Sequence, residues 1–366
     1  MVSTQPKFNV DFKELAVMAI QRQQRGDVII VLNDDTNALI DKAVYRGLGD
    51  VNKADYKVEN YDRLTLAFLG NPSKVIVIKA GIDFLATQKK LDYYSNYTLC
   101  FPEAEEDDFT AIANYLKQVR AKNNYSKAVV GNATAPDAYY IINFATTDKI
   151  KAKVNGEVKE FTAGDYTARI AGALSGLAPS RALTYFELPE IIEAPLSEDA
   201  DNDVKKGKLV ILHQDGTFKF GRAVNSLTTL TDGITEAFQK IRVIDIMDMI
   251  ANDIISTFRL YYVGKYTNNF TNKNRFVGAV NAYLSDLAAE GYLEAENDNV
   301  VYLSFDKIKS YLEGKGTSTA DMTYKEVLRA NTGSKVLLDG VCSPTDAMED
   351  LDLGMYLFQA MNEAAA

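Results

Sequence analysis

The chain has 366 residues, 47% of them hydrophobic and 25% charged, with 50 acidic against 40 basic residues and a formal net charge of -10. That length exceeds the ~100–200 residues usual for one domain, and the composition excludes disordered and collagen-like chains. No run of Lys or Arg forms the basic stripe that neutralises phosphates, which argues against direct nucleic-acid binding, and apolar runs such as Val28 to Leu32 fall far short of the ~20 residues that span a bilayer.

The first element alternates: Phe8, Val10 and Phe12 are apolar, and Asn9, Asp11 and Lys13 are polar. Period two predicts a strand with one buried face. Leu15 to Gln24 reads as helix or coil, so residues 1–24 are an arm and linker whose strand has no local partner. Val28 to Leu32 and Lys74 to Lys79 are β-branched runs bounded by turn residues, with a helix at Tyr61 to Leu69 between them. Residues 25–90 are therefore predicted to be a small β-rich domain.

A strand at Tyr97 to Phe101 leads through acidic Glu103 to Asp108 into a helix carrying Phe109, Ile112, Leu116 and Val119 on one face. Strands Lys127 to Gly131 and Tyr140 to Phe144 follow. Acids favour a helix N-terminus, and strand, helix, strand with short connections predicts a parallel crossover, so residues 91–235 read as α/β. Asn155-Gly156 predicts a tight hairpin turn, and Thr162 with Asp165 a capping box. The helix it starts, Tyr166 to Leu177, is rich in small residues that let another backbone approach. Glu193 to Lys206 reads as an exposed acidic loop. Lys208 to His213 and Phe218 to Arg222 then flank Gln214-Asp215-Gly216 as a second hairpin.

Residues 236–345 read as α+β, with helices Glu236 to Tyr262, Asn274 to Glu290 and Phe305 to Glu313. In the first, Ile246, Ile250, Ile254, Phe258 and Tyr261 form the apolar face, with Asp245, Asp248, Asn252 and Asp253 opposite. Residues 346–366 are a second arm, in which Leu351, Leu353, Met355 and Leu357 alternate with Asp350, Asp352, Gly354 and Tyr356.

Searching for chemistry assigns no catalytic, cofactor-binding or metal-binding residue. The sole histidine, His213, sits on a predicted strand before a turn, and neither a Gly-x-Ser-x-Gly elbow nor a phosphate loop occurs. The acidic clusters lack the Gly and terminal Glu of a calcium loop. Cys100 and Cys342 are too far apart to form a redox or metal pair and read as small buried hydrophobes. With no charged-then-apolar leader at Met1, synthesis and folding in the cytoplasm are expected.

Several phrases, in order, resemble the tail sheath family of phages and phage-tail-like bacteriocins. They are Tyr166 to Leu177 (YTARIAGALSGL), Ser180 to Pro189 (SRALTYFELP), Gly221 to Thr229 (GRAVNSLTT), Ile241 to Ile250 (IRVIDIMDMI), Ala330 to Val336 (ANTGSKV) and Asp346 to Leu353 (DAMEDLDL). The resemblance implies a small β-rich N-terminal domain and a subtilisin-like α/β middle domain without protease activity. An α+β C-terminal domain and extended N- and C-terminal arms complete it. It implies a non-enzymatic subunit, without cofactor, of a virion tail or an extracellular phage-tail-like particle. Its partners would be further copies in stacked hexameric rings, an inner tail tube protein, and baseplate and tail terminator proteins, with no membrane insertion. Contraction would drive the tube through the target envelope. The departure is a compact chain, with no large extra surface domain between its β-rich and α/β parts.

Two orphan alternating strands at opposite ends suit strand exchange, because a sheet edge offers unpaired backbone groups to an incoming strand. Phe8, Val10, Phe12, Leu351, Leu353, Met355 and Leu357 are thus expected to be inter-subunit residues, and Lys307, Lys309 and Lys315 are candidate tube contacts in an acidic protein. The alternatives are a sheath-like protein of another contractile injection or secretion system, which shares the fold, and a hydrolase of subtilisin-like architecture depending on His213.

Overall fold

A computed structural model describes residues 19–21, 26–79, 84–178 and 180–355. They divide into an α/β unit, residues 26–120, 126–244 and 346–355, and an α+β unit, residues 19–21, 121–125 and 245–345.

The α/β unit contains β1 (Asp27–Leu32), β2 (Lys42–Tyr45), α1 (Val58–Phe68), β3 (Lys74–Lys79), α2 (Phe84–Leu91), β4 (Thr98–Cys100), α3 (Glu106–Arg120), β5 (Lys127–Gly131) and β6 (Ile141–Phe144). These are followed by β7 (Ile150–Val154), β8 (Glu157–Phe161), α4 (Ala163–Gly176), β9 (Ile191–Glu193), α5 (Ala200–Lys205), β10 (Lys208–Leu209), β11 (Ile211–Gln214) and β12 (Thr217–Phe220). Seven strands form one sheet in the order β10-β6-β5-β4-β1-β3-β2, parallel except for β2 on β3. Both faces are covered, as parallel sheets require. Alternation in β1 splits its side chains: Val28, Ile30 and Leu32 join Leu64 of α1 and Ile170 of α4, whereas Ile29 and Val31 join Phe84 of α2 and Ile112 and Leu116 of α3.

This sheet corrects the expected separate β-rich domain at 25–90. β1 pairs in parallel with β3 on one side and β4 on the other, so those residues share the sheet of 98–144 and close none of their own. The strand expected at 208–213 also divides: β10 continues the large sheet beside β6, and after Val210 the chain enters the β11–β12 hairpin. The acidic loop Glu193 to Lys206 contains α5, capped by Asp199, which accepts from the Asn202 N–H at 3.1 Å.

Local expectations fare better. Asn155 and Gly156, and likewise Asp215 and Gly216, have positive φ at the two hairpin turns. Thr162 and Asp165 bond reciprocally as a capping box. Small residues on α4 permit a tight helix crossing: a Cβ on Gly172 would lie 2.0 Å from the Ala67 carbonyl oxygen of α1. Cys100 is buried in β4, where burial pushes its thiol pKa up; Cys342 is exposed, unlike the buried thiol expected.

The α+β unit contains most of α6 (Ile241–Thr257), a π-helical turn at Phe258–Tyr262, α7 (Phe270–Ala289), β13 (Val300–Leu303), α8 (Phe305–Glu313), α9 (Tyr324–Arg329) and β14 (Leu338–Val341). The expected helix from Glu236 to Tyr262 is thus a 3-10 turn at Glu236–Gln239, then α6 after extended Lys240, then the π turn. Ile246, Met249 and Ile250 pack with Phe276, Val280, Tyr283 and Leu287 of α7, and Ile20 joins them. Asn252 and Asp253, expected on the polar face, are buried instead; the Tyr283 hydroxyl donates to Asp253 at 2.7 Å. Among the described residues, no helix is long and apolar enough to cross a membrane.

Candidate functional site

The expected C-terminal arm begins at a clamp on the α/β unit. After β12, Arg222 precedes Val224, which forms an isolated antiparallel bridge with Lys240, so two cations lie on adjacent extended segments. Thr184, between α4 and β9, binds the first of these segments by accepting the Ala223 N–H at 3.0 Å. Glu349 completes the group. Its Oε1 accepts from the Thr184 hydroxyl at 2.7 Å, and its Oε2 lies 2.7 Å from Lys240 Nζ and 3.1 Å from Arg222 Nε. Its side chain is only 8% exposed. Asp346 pairs with Lys240 at 3.4 Å and Asp350 with Arg222 at 2.6 Å. Partial burial opposes the Arg222 charge, but the hydrogen bond to Asp350 and the charges of Glu349 and Asp350 outweigh it and raise its pKa.

Beyond the clamp the side chains leave the core. Leu351, Leu353 and Met355 are 87%, 68% and 85% exposed, and residues 351–355 adopt no regular structure. They do not cover their own domain. Leu357, with Phe8, Val10 and Phe12, lies outside the described residues.

In the α+β unit, β13 and β14 pair antiparallel, Val300 opposite Val341. No described strand takes their second edges. Tyr302 and Val341 are exposed there. The three candidate lysines lie on or just after α8, as expected. Lys307 is ion-paired with Asp339 and donates to the Leu338 carbonyl at 2.8 Å; Lys309 is 4.0 Å from Glu313; Lys315 is exposed.

At the strand C-termini beside the change in strand order, where an open α/β sheet takes a ligand, lies a network of ion pairs. β1 sits between β4 and β3, and there Arg63 of α1 reaches Glu103 at 2.8 Å and Asp165 at 2.7 Å, while its Nη1 donates to Asn60 Oδ1 at 2.6 Å. Asn33, just past β1, donates its N–H to the same Glu103. His213 is exposed on β11 with its ring 4.6 Å from that of Phe218.

Reading the sequence missed Thr184, Arg222, Lys240 and Glu349 as a group. Three of the phrases quoted above each contribute a member, Thr184, Arg222 and Glu349, so the clamp is where those distant phrases meet. The available signal was charge complementarity between the basic residue of one phrase and the acids of another.

Residues 234–358 match the family model of the phage tail sheath C-terminal domain. The tail sheath protein of Clostridium phage phiCD119 is 34% identical over 368 residues, spanning 95% of this chain and 98% of that protein. Among solved structures, the helical sheath of the anti-feeding prophage in its contracted state has a TM-score of 0.70 at 15% identity, covering 97% of this chain and 99% of that one. The sheath tail protein of Desulfitobacterium hafniense has a TM-score of 0.68 at 15% identity, covering 81% and 93%. The sheath of an extracellular contractile injection system in its contracted state has a TM-score of 0.68 at 12% identity, covering 97% and 98%. These likenesses establish a mixed α/β sheath fold, and the full-length identity to the phage protein makes this chain a member of the tail sheath family, whose members are structural proteins rather than enzymes.

Proposed function

We propose that the chain polymerises as stacked hexameric rings around an inner tail tube, and that contraction of this lattice drives the tube through the target cell envelope. The observation that carries the reading is the alternating segment Leu351, Leu353, Met355, held at its base by Glu349 and displayed outside its own core. An exposed strand-forming segment can gain backbone partners on another chain's sheet edge, and the open edges of β13 and β14 are of the kind it needs. Phe8, Val10, Phe12 and Leu357 extend the same role to both arms, and the arms keep neighbours joined while rings reorient. Lys307, Lys309 and Lys315 face the tube protein in this scheme, and baseplate and terminator proteins close the two ends. The α/β unit serves as a subtilisin-like scaffold without peptidase activity. Assembly takes place in the host bacterial cytoplasm, and the particle is a phage tail or a headless phage-tail-like one.

Electron microscopy of the self-assembled protein tests this directly. Hollow striated cylinders are expected. Discrete monomers or closed small oligomers at every concentration and salt condition would overturn the polymer.

A further inference from the structure

Four aromatic rings and one lysine frame a pocket of about 460 Å³ in the α+β unit. The wide π turn sets Phe258 and Tyr262 side by side, 6.0 Å apart and 9° from parallel. Both pack on Phe276 of α7, at 5.0 and 4.7 Å, and Tyr266 lies 5.2 Å from Tyr262. Such turns are rare and recur at functional sites.

Lys273 of α7 lines this pocket while only 3% exposed. Its ammonium donates to Thr332 Oγ1 at 2.8 Å, and no carboxylate among the described residues pairs with it. A buried ammonium without a counter-charge is costly, and burial alone pushes its pKa down. Asn268, on the same wall, is oriented by its neighbours: its Nδ2 donates to the Gly333 and Lys335 carbonyls at 2.7 and 3.0 Å. Its Oδ1 is consequently turned away from both and is buried with no hydrogen-bond partner. The pocket therefore combines an apolar wall with a cation lacking an anion, and an acceptor lacking a donor is buried beside it.

We propose that this pocket binds a carboxylate carried on a small apolar body, the carboxylate pairing with Lys273 and the body lying against Phe258, Tyr262 and Phe276. Asn268 Oδ1 accepts from an N–H or O–H next to that carboxylate. A free organic acid and an acidic side chain of a second copy of this chain both present this chemistry.

Calorimetric titration of the full chain with 4-phenylbutanoate and with its neutral amide tests the site. The acid is expected to bind about tenfold or more tighter than the amide, as a charge-assisted contact requires. Lys273→Met keeps the apolar stem and removes the charge, so the preference should vanish while the amide still binds. Lys273→Arg should retain it. Equal affinity for acid and amide, no binding of either, or a preference that survives Lys273→Met would overturn the proposal. Polymerisation then separates the sources: if 4-phenylbutanoate or Lys273→Met blocks tube formation, the carboxylate belongs to a second copy, and if tubes form unchanged, it is a free acid. The titration itself does not depend on the polymer.

Discussion

Lys240 Nζ donates a 2.7 Å hydrogen bond to Glu349 Oε2, joining residues 109 positions apart and fixing where the C-terminal segment leaves the α/β unit. Glu349→Gln keeps the shape and removes the charge shared with Lys240 and Arg222. Hydrogen bonds to charged groups contribute about 1.5–3 kcal/mol, and the partial exposure of both cations reduces this, so a local loss of about 1–2 kcal/mol is expected. Backbone amides of 346–350 should exchange on the order of tenfold faster, with the global melting temperature nearly unchanged. Exchange as slow as in the parent chain would show that the clamp does not hold the segment.

Deleting residues from Leu351 onward keeps the clamp and removes the displayed segment. The product is expected to melt like the full chain and to sediment as a monomer that no longer polymerises. Had Leu351, Leu353 and Met355 been buried in their own core, their loss would cost about 1.5–3 kcal/mol each, a large part of a stability of about 5–15 kcal/mol. Aggregation of an unfolded product would show an intramolecular role, and long tubes would show that the segment is dispensable.

Asp34 gives the α/β unit an acid-sensitive element. Burial alone would raise its pKa, but hydrogen bonds from Asn60 and from the backbone N–H groups of Lys57 and Thr36 prevail and lower it from 3.8 to about 2. A folded-state pKa below the unfolded one contributes stability that is complete above about pH 4 and is lost as pH falls toward 2, on the order of 2 kcal/mol. Asp34→Asn should flatten acid unfolding in that window while lowering stability at neutral pH. An unchanged acid-unfolding curve would remove Asp34 from the explanation.

Gly172→Ala should be strongly destabilising. Its added Cβ would meet the Ala67 carbonyl oxygen at 2.0 Å, and one on Gly176 would meet the Gly70 carbonyl oxygen at 1.8 Å. Backbone cannot yield as a side-chain tip does, so a cost of about 1–3 kcal/mol or more is expected, read as a fall in melting temperature. A stability equal to the parent's would mean that α1 and α4 can separate freely.

Reversing the charge of Lys307, Lys309 and Lys315 together should weaken co-assembly with the tube protein. Exposed pairs contribute only about 0–1 kcal/mol each, so the effect should grow at low salt. Lys307 is already engaged by Asp339, and Lys307→Glu alone should therefore disturb β14 as well. Unchanged co-assembly at low salt would place the tube contact elsewhere.

Features set by neighbouring residues were legible in the sequence. Lys74 to Lys79 is a strand with the expected bounds, Phe305 to Glu313 a helix, and Thr162 with Asp165 a capping box, because β-branching, helical spacing and side-chain capping act over a few residues. The Asn155-Gly156 and Asp215-Gly216 turns follow from residues that accept positive φ. The small residues of α4 foretold close approach without naming Ala67 and Gly70 as what they approach. That β1 lies between β3 and β4, that the chain divides at Val210, and that Asp253 is buried under the Tyr283 hydroxyl were decided by tertiary structure alone. So was the convergence of Thr184, Arg222, Lys240 and Glu349. Strand order and ion pairing depend on which distant segments compete for the same edge or cavity, and local periodicity carries no record of that competition.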